Sequence, residues 1–253
     1  MPQRPALLSF FTSIFLLAAS TSSLGCGGGS PLLHPVHTLP AGRVSAGAGL
    51  SGQVLLQNLP SAAGTDQAGR ESQIQTKALA PAIAPWVSAR VGITGSNEVG
   101  LAYTGRGVRL DGRHAFQLNK KNTLALSVGL GGDLLLLGRQ QANAQEPQSV
   151  LGGGVDLPIM FGWRSTAGLY SAWIGPRPGI SFVDGRLDNG AAFSARDTRL
   201  GFVAGLRVGF RQVHVAMELG GAFHFVDATV DETIDVTFQQ FTLTPAGALV
   251  LTF

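Results

Sequence analysis

Between Arg199 and Val226 apolar residues recur at every second position, and the period breaks only at Arg211 and Gln212. Leu200, Phe202, Ala204, Leu206, Val208 and Phe210 share one parity, against Arg199, Gly201, Val203, Gly205, Arg207 and Gly209 on the other. Past the break, Val213, Val215, Met217, Leu219, Gly221, Phe223 and Phe225 alternate with His214, Ala216, Glu218, Gly220, Ala222 and His224. Side chains on a strand point alternately to two sides. The pattern therefore predicts a hairpin with a two-residue turn, apolar on one face and small or charged on the other.

The same period covers most of the chain. Val44, Ala46, Ala48, Leu50, Val54 and Leu56 alternate with Arg43, Ser45, Ser51 and Gln53 in a first predicted strand. A polar segment from Gln57 to Lys77 follows, with a short helix expected over Glu71 to Leu79. Val87, Ala89, Val91 and Ile93 then oppose Arg90, Gly95-Ser96-Asn97 supplies a turn, and Val99, Leu101 and Tyr103 return. The phase slips by one across Gly105-Arg106-Gly107, after which Val108, Leu110, Phe116 and Leu118 oppose Arg109, Asp111, Arg113 and Gln117. A hairpin turn or a bulge within one long strand explains the slip, and the turn is the favoured reading. A turn at Asp111-Gly112 instead would leave only Arg113 to Leu118, shorter than the roughly 9–11 tilted residues of a membrane crossing. His114 then falls on the apolar side, near an interface.

Leu124 to Leu134, Val155 to Trp163, Tyr170 to Phe182 and Phe241 to Phe253 supply further strands, the third of them weakened by Pro176 and Pro178, which cannot donate to a ladder. Ten strands result. Long polar connections follow strands one, five, seven and nine, and short turns follow strands two, four, six and eight. The third connection, at Gly105, is short and breaks the rule. The hairpin at Asp231-Glu232 continues past a membrane's thickness. The expected fold is all-β, an antiparallel up-and-down transmembrane β-barrel over residues 42–253. An eight-strand barrel keeps the parity if the first strand drops out and the third and fourth fuse.

Alternation is shared with a soluble β-sandwich, which leaves a soluble periplasmic β lipoprotein open. Composition weighs against it. Charged residues are 13% of the chain and mean hydropathy is +0.23, whereas a soluble surface alone carries about 25–35% charged residues. In a barrel the lumen receives Arg43, Arg90, Arg109, Arg113, Arg164, Arg177, Arg199 and Arg207 with Glu98, Asp111, Asp133, Asp156 and Glu218. Turning a mid-strand residue such as Arg207 to lipid would cost about 2–4 kcal/mol. The other inward positions are mainly Gly, Ala and Ser, so the arginines have room to cross the lumen to the carboxylates. The net charge of +3 comes from arginines dispersed through strands, which excludes a nucleic-acid surface of the clustered basic type.

Residues 1–25 carry one charge, Arg4, before an apolar run from Ala6 to Ala19 that is too short for a spanning helix, and they read as a secretory signal peptide. Cys26, the only cysteine, follows at Ser23-Leu24-Gly25-Cys26, a site that resembles a bacterial lipobox, with Ser23 where that family usually has Leu. The resemblance implies lipidation of Cys26. Residues 26–41, rich in Gly, Pro and His, read as a flexible tether. His34 and His37 there are expected to be solvated, with no metal.

From the first strand to the end the chain resembles small bacterial outer-membrane β-barrel proteins. Trp163, Tyr170, Phe210 and Phe253 fall at the turn-side strand ends as an aromatic girdle would, and Trp86, Phe182, Phe202, Phe225 and Phe241 are placed for a second. Leu249, Leu251 and Phe253 are similar to the carboxy-terminal signal read by the barrel-assembly machinery, although Gly247 sits one place off the usual spacing. The resemblance implies outer-membrane lipid as surroundings and both termini in the periplasm.

Chemistry is sparse. His214, Glu218 and His224 share a face, but strand residues four apart lie about 13 Å apart, so a lumen-sited lipid-modifying hydrolase would need partners from other strands. Asp227, Asp231, Glu232 and Asp235 match no calcium loop, and Gly152-Gly153-Gly154 lacks the Lys-Ser/Thr of a phosphate loop. No cofactor, metal or enzymatic role is expected. Either a lumen closed by ion pairs, with function in the loops, or a narrow passive channel follows.

Overall fold

The structure, a computed structural model, describes residues 27–56, 67–139 and 148–253. The expected signal peptide and Cys26 lie outside the described residues, as do parts of the two longest polar connections. The elements are β1 (Val44–Gly52), β2 (Val54–Leu55), α1 (Gln67–Leu79), β3 (Ile83–Ile93), β4 (Asn97–Tyr103), β5 (Gly107–Gln117), β6 (Leu124–Arg139), β7 (Gln148–Asp156), β8 (Ile159–Arg164), β9 (Tyr170–Arg186), β10 (Ala192–Phe210), β11 (Val213–Val230) and β12 (Ile234–Thr252).

Every strand pairs antiparallel with its neighbours, and β1 pairs with β12 as well as β3, so the sheet closes on itself. Two pairs of segments are single wall strands. β1 and β2 are separated only by Gln53. β7 and β8 keep one register against β6, with Val155 opposite Gly132 and Ile159 opposite Val128. They are split where Pro158 has no N–H to donate. Twelve segments therefore make ten wall strands. Pro176 and Pro178 do not interrupt β9, because proline carbonyls still accept: Leu157 N donates to Pro178 O at 2.9 Å. The Gly105 connection is a turn, the favoured reading of the phase slip, and α1 begins a turn earlier than expected.

The apolar parity faces outward. Leu110, Leu130, Ile174, Leu200 and Phe210 are each more than half exposed, while Arg109, Asp156, Glu98 and Glu218 are buried. This inverts a soluble protein, and hydrocarbon is the solvent that suits it. Trp163, Tyr170, Phe210 and Phe253 lie on the outer face at one end. That end carries the tight turns at residues 94–96, 119–122, 165–168 and 211–212 and is called the turn end; the loop end carries α1. β9 to β12 run 17 to 19 residues against 7 in β4, so one side of the wall rises higher. Ile74, Leu79 and Ala78 of α1 lean on its inner apolar residues, among them Val183, Phe193, Val226 and Val236. The helix thus covers the loop end.

Three expectations need correction. Trp86 belongs to no girdle; it is 2% exposed, inside the lumen, because its parity is that of Arg90, not of Val87. Arg43 is exposed at the turn end rather than inside. Residues 27–41 are not a flexible tether: Leu32, Leu33 and Val36 are 3%, 2% and 1% exposed. They run through the barrel, held by the contacts described next. Gly27 lies at the loop end and Phe253 at the turn end.

Candidate functional site

The lumen segment is pinned along its length. Gly28 N donates to Ala80 O at 3.0 Å at the loop end, and Gly42 N to Gly92 O at 2.9 Å at the turn end. Between them Glu218, on β11, accepts from Leu32 N and Leu33 N, both at 2.7 Å, and from Trp173 Nε1 at 3.2 Å. Leu33 has φ 52°, a left-handed conformation that turns two successive N–H groups onto one carboxylate. Glu98 accepts from Leu39 N at 2.8 Å, and Arg113 donates to Pro35 O and His37 O. Arg177 donates to Ser30 O, while Ser30 Oγ donates to Asp133 at 3.2 Å.

Apolar packing completes the grip. Leu32 and Val36 meet Ala125, Met160, Trp173 and Val203 on one wall, and Leu33 meets Trp86, Ala216, Ala248 and Val250 on the other.

Ion pairs tie the strands across the lumen. Asp156 takes Arg109 through two bonds of 2.6 and 2.7 Å and Arg177 at 2.6 Å, with Arg199 at 3.5 Å. Arg109 also reaches Asp133 at 3.0 Å. Arg90 joins Glu98 to Asp111, and Arg113 adds a second cation to Glu98 at 2.9 Å. Forked guanidinium–carboxylate geometry is the strong form of this contact. It depends on small neighbours: a Cβ on Gly131 would lie 1.8 Å from Arg109 Nη2.

Of the expected network, Arg90, Arg109, Asp111, Arg113, Asp133, Asp156 and Arg177 thus meet. Glu218 meets backbone rather than arginine. Arg164 is half-buried and donates to Asn122 O, and Arg207 has no ion pair among the described residues. Leu249 and Phe253 are exposed on the outer face and Leu251 is half-buried there. His114 pairs with Asn97 Oδ1 at 2.9 Å and stacks edge-on to Phe116.

His214, Glu218 and His224 have separate surroundings. His224 Nδ1 lies 3.0 Å from Asp197 and its Nε2 3.0 Å from Thr242 Oγ1, an acid–imidazole–hydroxyl chain assembled from three strands that sequence spacing could not show. Thr242 is 2% exposed, and the cavity beside it holds only about 90 Å³. Over it, Arg106 donates to the last α1 carbonyls, Ala78 O and Leu79 O. Burial, with repulsion from Arg199, pulls that guanidinium down to about 10.

No family model matches the chain, and no curated protein does. Among solved structures, Neisserial surface protein A is 9% identical with a TM-score of 0.36, over 83% of this chain and 96% of that one. Ail, the attachment invasion locus protein of Yersinia pestis, is 10% identical with a TM-score of 0.39, over 85% and 100%. The outer membrane protease OmpT from Escherichia coli is 9% identical with a TM-score of 0.31, over 86% and 100%.

Proposed function

We propose that this chain is a non-enzymatic outer-membrane β-barrel whose lumen is sealed by its own amino-terminal segment, and that it acts structurally or through its loop-end surface. The observation that carries this is the run of carboxylate and arginine contacts to the backbone of residues 30–39, which holds chain along the lumen where a passive channel would need a polar path. In this reading outer-membrane lipid surrounds the apolar wall, the barrel-assembly machinery reads Leu249, Leu251 and Phe253, and the short turns face the periplasm. Lipidation of Cys26 belongs to the same proposal.

Planar-bilayer recording tests the seal. The intact protein gives no discrete steps, and steps at modest voltage in wild-type protein would overturn the reading. Fractionation tests the location: recovery in the soluble fraction, without heat-modifiable gel migration, would remove the membrane assignment. A second reading, hydrolysis at His224, is supported by the Asp197–His224–Thr242 chain. It requires a His224→Ala variant to lose esterase activity that wild type possesses.

A further inference from the structure

At the turn end, below the Glu98 contacts, the lumen holds a cavity of about 380 Å³ whose rim includes Gly168 and Arg211 of two exposed turns. Its wall concentrates unpartnered polar atoms. His34 Nδ1, His214 Nδ1, Trp86 Nε1, Arg113 Nε and Ser171 Oγ have no hydrogen-bond partner in the protein, and each of these side chains is at most 8% exposed. Buried polar atoms without partners are rare and costly, so several on one cavity point to a ligand that satisfies them.

Charge says which kind. Arg164, Arg207 and Arg211 line the cavity with no carboxylate paired to them among the described residues. Glu98, the one acidic lining residue, already accepts from Arg90 and Arg113. A cation would meet net repulsion, and among the described residues no three His, Cys, Asp or Glu side chains are placed to hold a metal ion. Arginine forks with surrounding N–H and O–H donors fit a tetrahedral oxyanion. The volume, at the lower end of the roughly 300–1,000 Å³ of small-molecule pockets, leaves room for an organic substituent.

We propose that this turn-end cavity binds a small phosphate-bearing anion, with Arg164 and Arg207 as its principal charge partners. The inference goes beyond the sealed-barrel reading and stands whether or not the lumen conducts. Two sources share the chemistry, a soluble phosphomonoester and the headgroup of an anionic lipid at the adjacent membrane surface.

The test uses the full chain in phosphatidylcholine nanodiscs, titrated with inorganic phosphate and with glycerol 3-phosphate and read by tryptophan fluorescence, since Trp86 lines the cavity. Saturable binding is expected, weakened at least about tenfold by Arg164→Gln with Arg207→Gln and unchanged by Arg196→Gln, which alters an exposed pair with Asp227 at the loop end. Heat-modifiable migration verifies that each variant folds. If the soluble probes do not bind, nanodiscs of mixed phosphatidylglycerol and phosphatidylcholine are analysed for bound lipid; enrichment of phosphatidylglycerol that the double variant loses assigns the headgroup as the source. Failure of both arms, or unchanged affinity in the double variant, overturns the proposal.

Discussion

Glu218→Gln tests the seal at its centre. In the wild type both carboxylate oxygens accept a backbone N–H of the lumen segment at 2.7 Å, and the Trp173 indole adds a third donor. Each bond from an amide to a charged acceptor contributes roughly 1.5–3 kcal/mol. Glutamine keeps the volume and one acceptor oxygen, but its NH₂ must face either Leu32 N or Leu33 N, donor against donor. One charge-assisted bond is lost and the other becomes neutral, about 3 kcal/mol in all. A tenfold change in an equilibrium corresponds to about 1.4 kcal/mol, so local opening of the segment should become about 100-fold more frequent. Hydrogen–deuterium exchange of the detergent-folded protein reads this directly at the Leu32 and Leu33 amides. Those amides should exchange about two decades faster while the β10 and β11 amides hold their protection. Exchange at Leu32 and Leu33 within about threefold of wild type, or acceleration spread evenly over the wall strands, would refute the reasoning, because the first denies the contact its weight and the second makes the effect global.

Three further outcomes follow from the wall and its ion pairs. Arg109→Met strips Asp156 of its forked partner and Asp133 of its nearest cation; with Arg177 and Arg199 still at Asp156, the loss is about 3 kcal/mol, seen as a lower temperature for the loss of heat-modifiable migration. Gly131→Val drives a side chain into the Arg109 guanidinium and destabilises comparably, whereas Gly132→Val, whose Cβ meets only Gly154 O at 3.9 Å, folds like wild type; equal behaviour of the two would deny the inward–outward assignment. Leu206→Arg, mid-wall and outward, costs about 2–4 kcal/mol and lowers the fraction that assembles in lipid vesicles.

The wall was legible because it obeys a two-residue period and because hydrocarbon penalises an error of phase. The slip at Gly105 was itself informative: with Val108 and Leu110 out of step with Leu101 and Tyr103, a turn or a bulge there keeps Arg109 and Asp111 inward, and that is where they lie. Trp86 shows the limit of reading residue type over parity. An aromatic near a strand end suggested an interface, yet the neighbouring outward Val87 already assigned it to the lumen. The charge partners were legible only as a set, because pairing such as Arg109 with Asp156 joins residues 47 positions apart through the shear of the sheet. The same holds for Asp197, His224 and Thr242, which share no spacing a motif could capture.

The lumen segment was hidden for a different reason. Residues 27–41 have no period and carry the Gly, Pro and His of a linker, and their partners are wall side chains that bond to backbone, a contact that leaves no mark on the identity of the residue donating it. Two signs existed nonetheless. Leu32, Leu33 and Val36 are apolar residues that a solvated tether has no use for, and Glu218 faces inward with no arginine directly opposite it, since its neighbours across the ladders are Gly205 and Ala246. Lumen width supplies the physical link. About eight strands enclose an interior that wall side chains can fill; a ten-strand barrel is wider, and here its inward positions are largely Gly, Ala and Ser. Such a wall cannot close its own lumen. It needs either water or more chain, and an inward carboxylate without a cation is satisfied by the second.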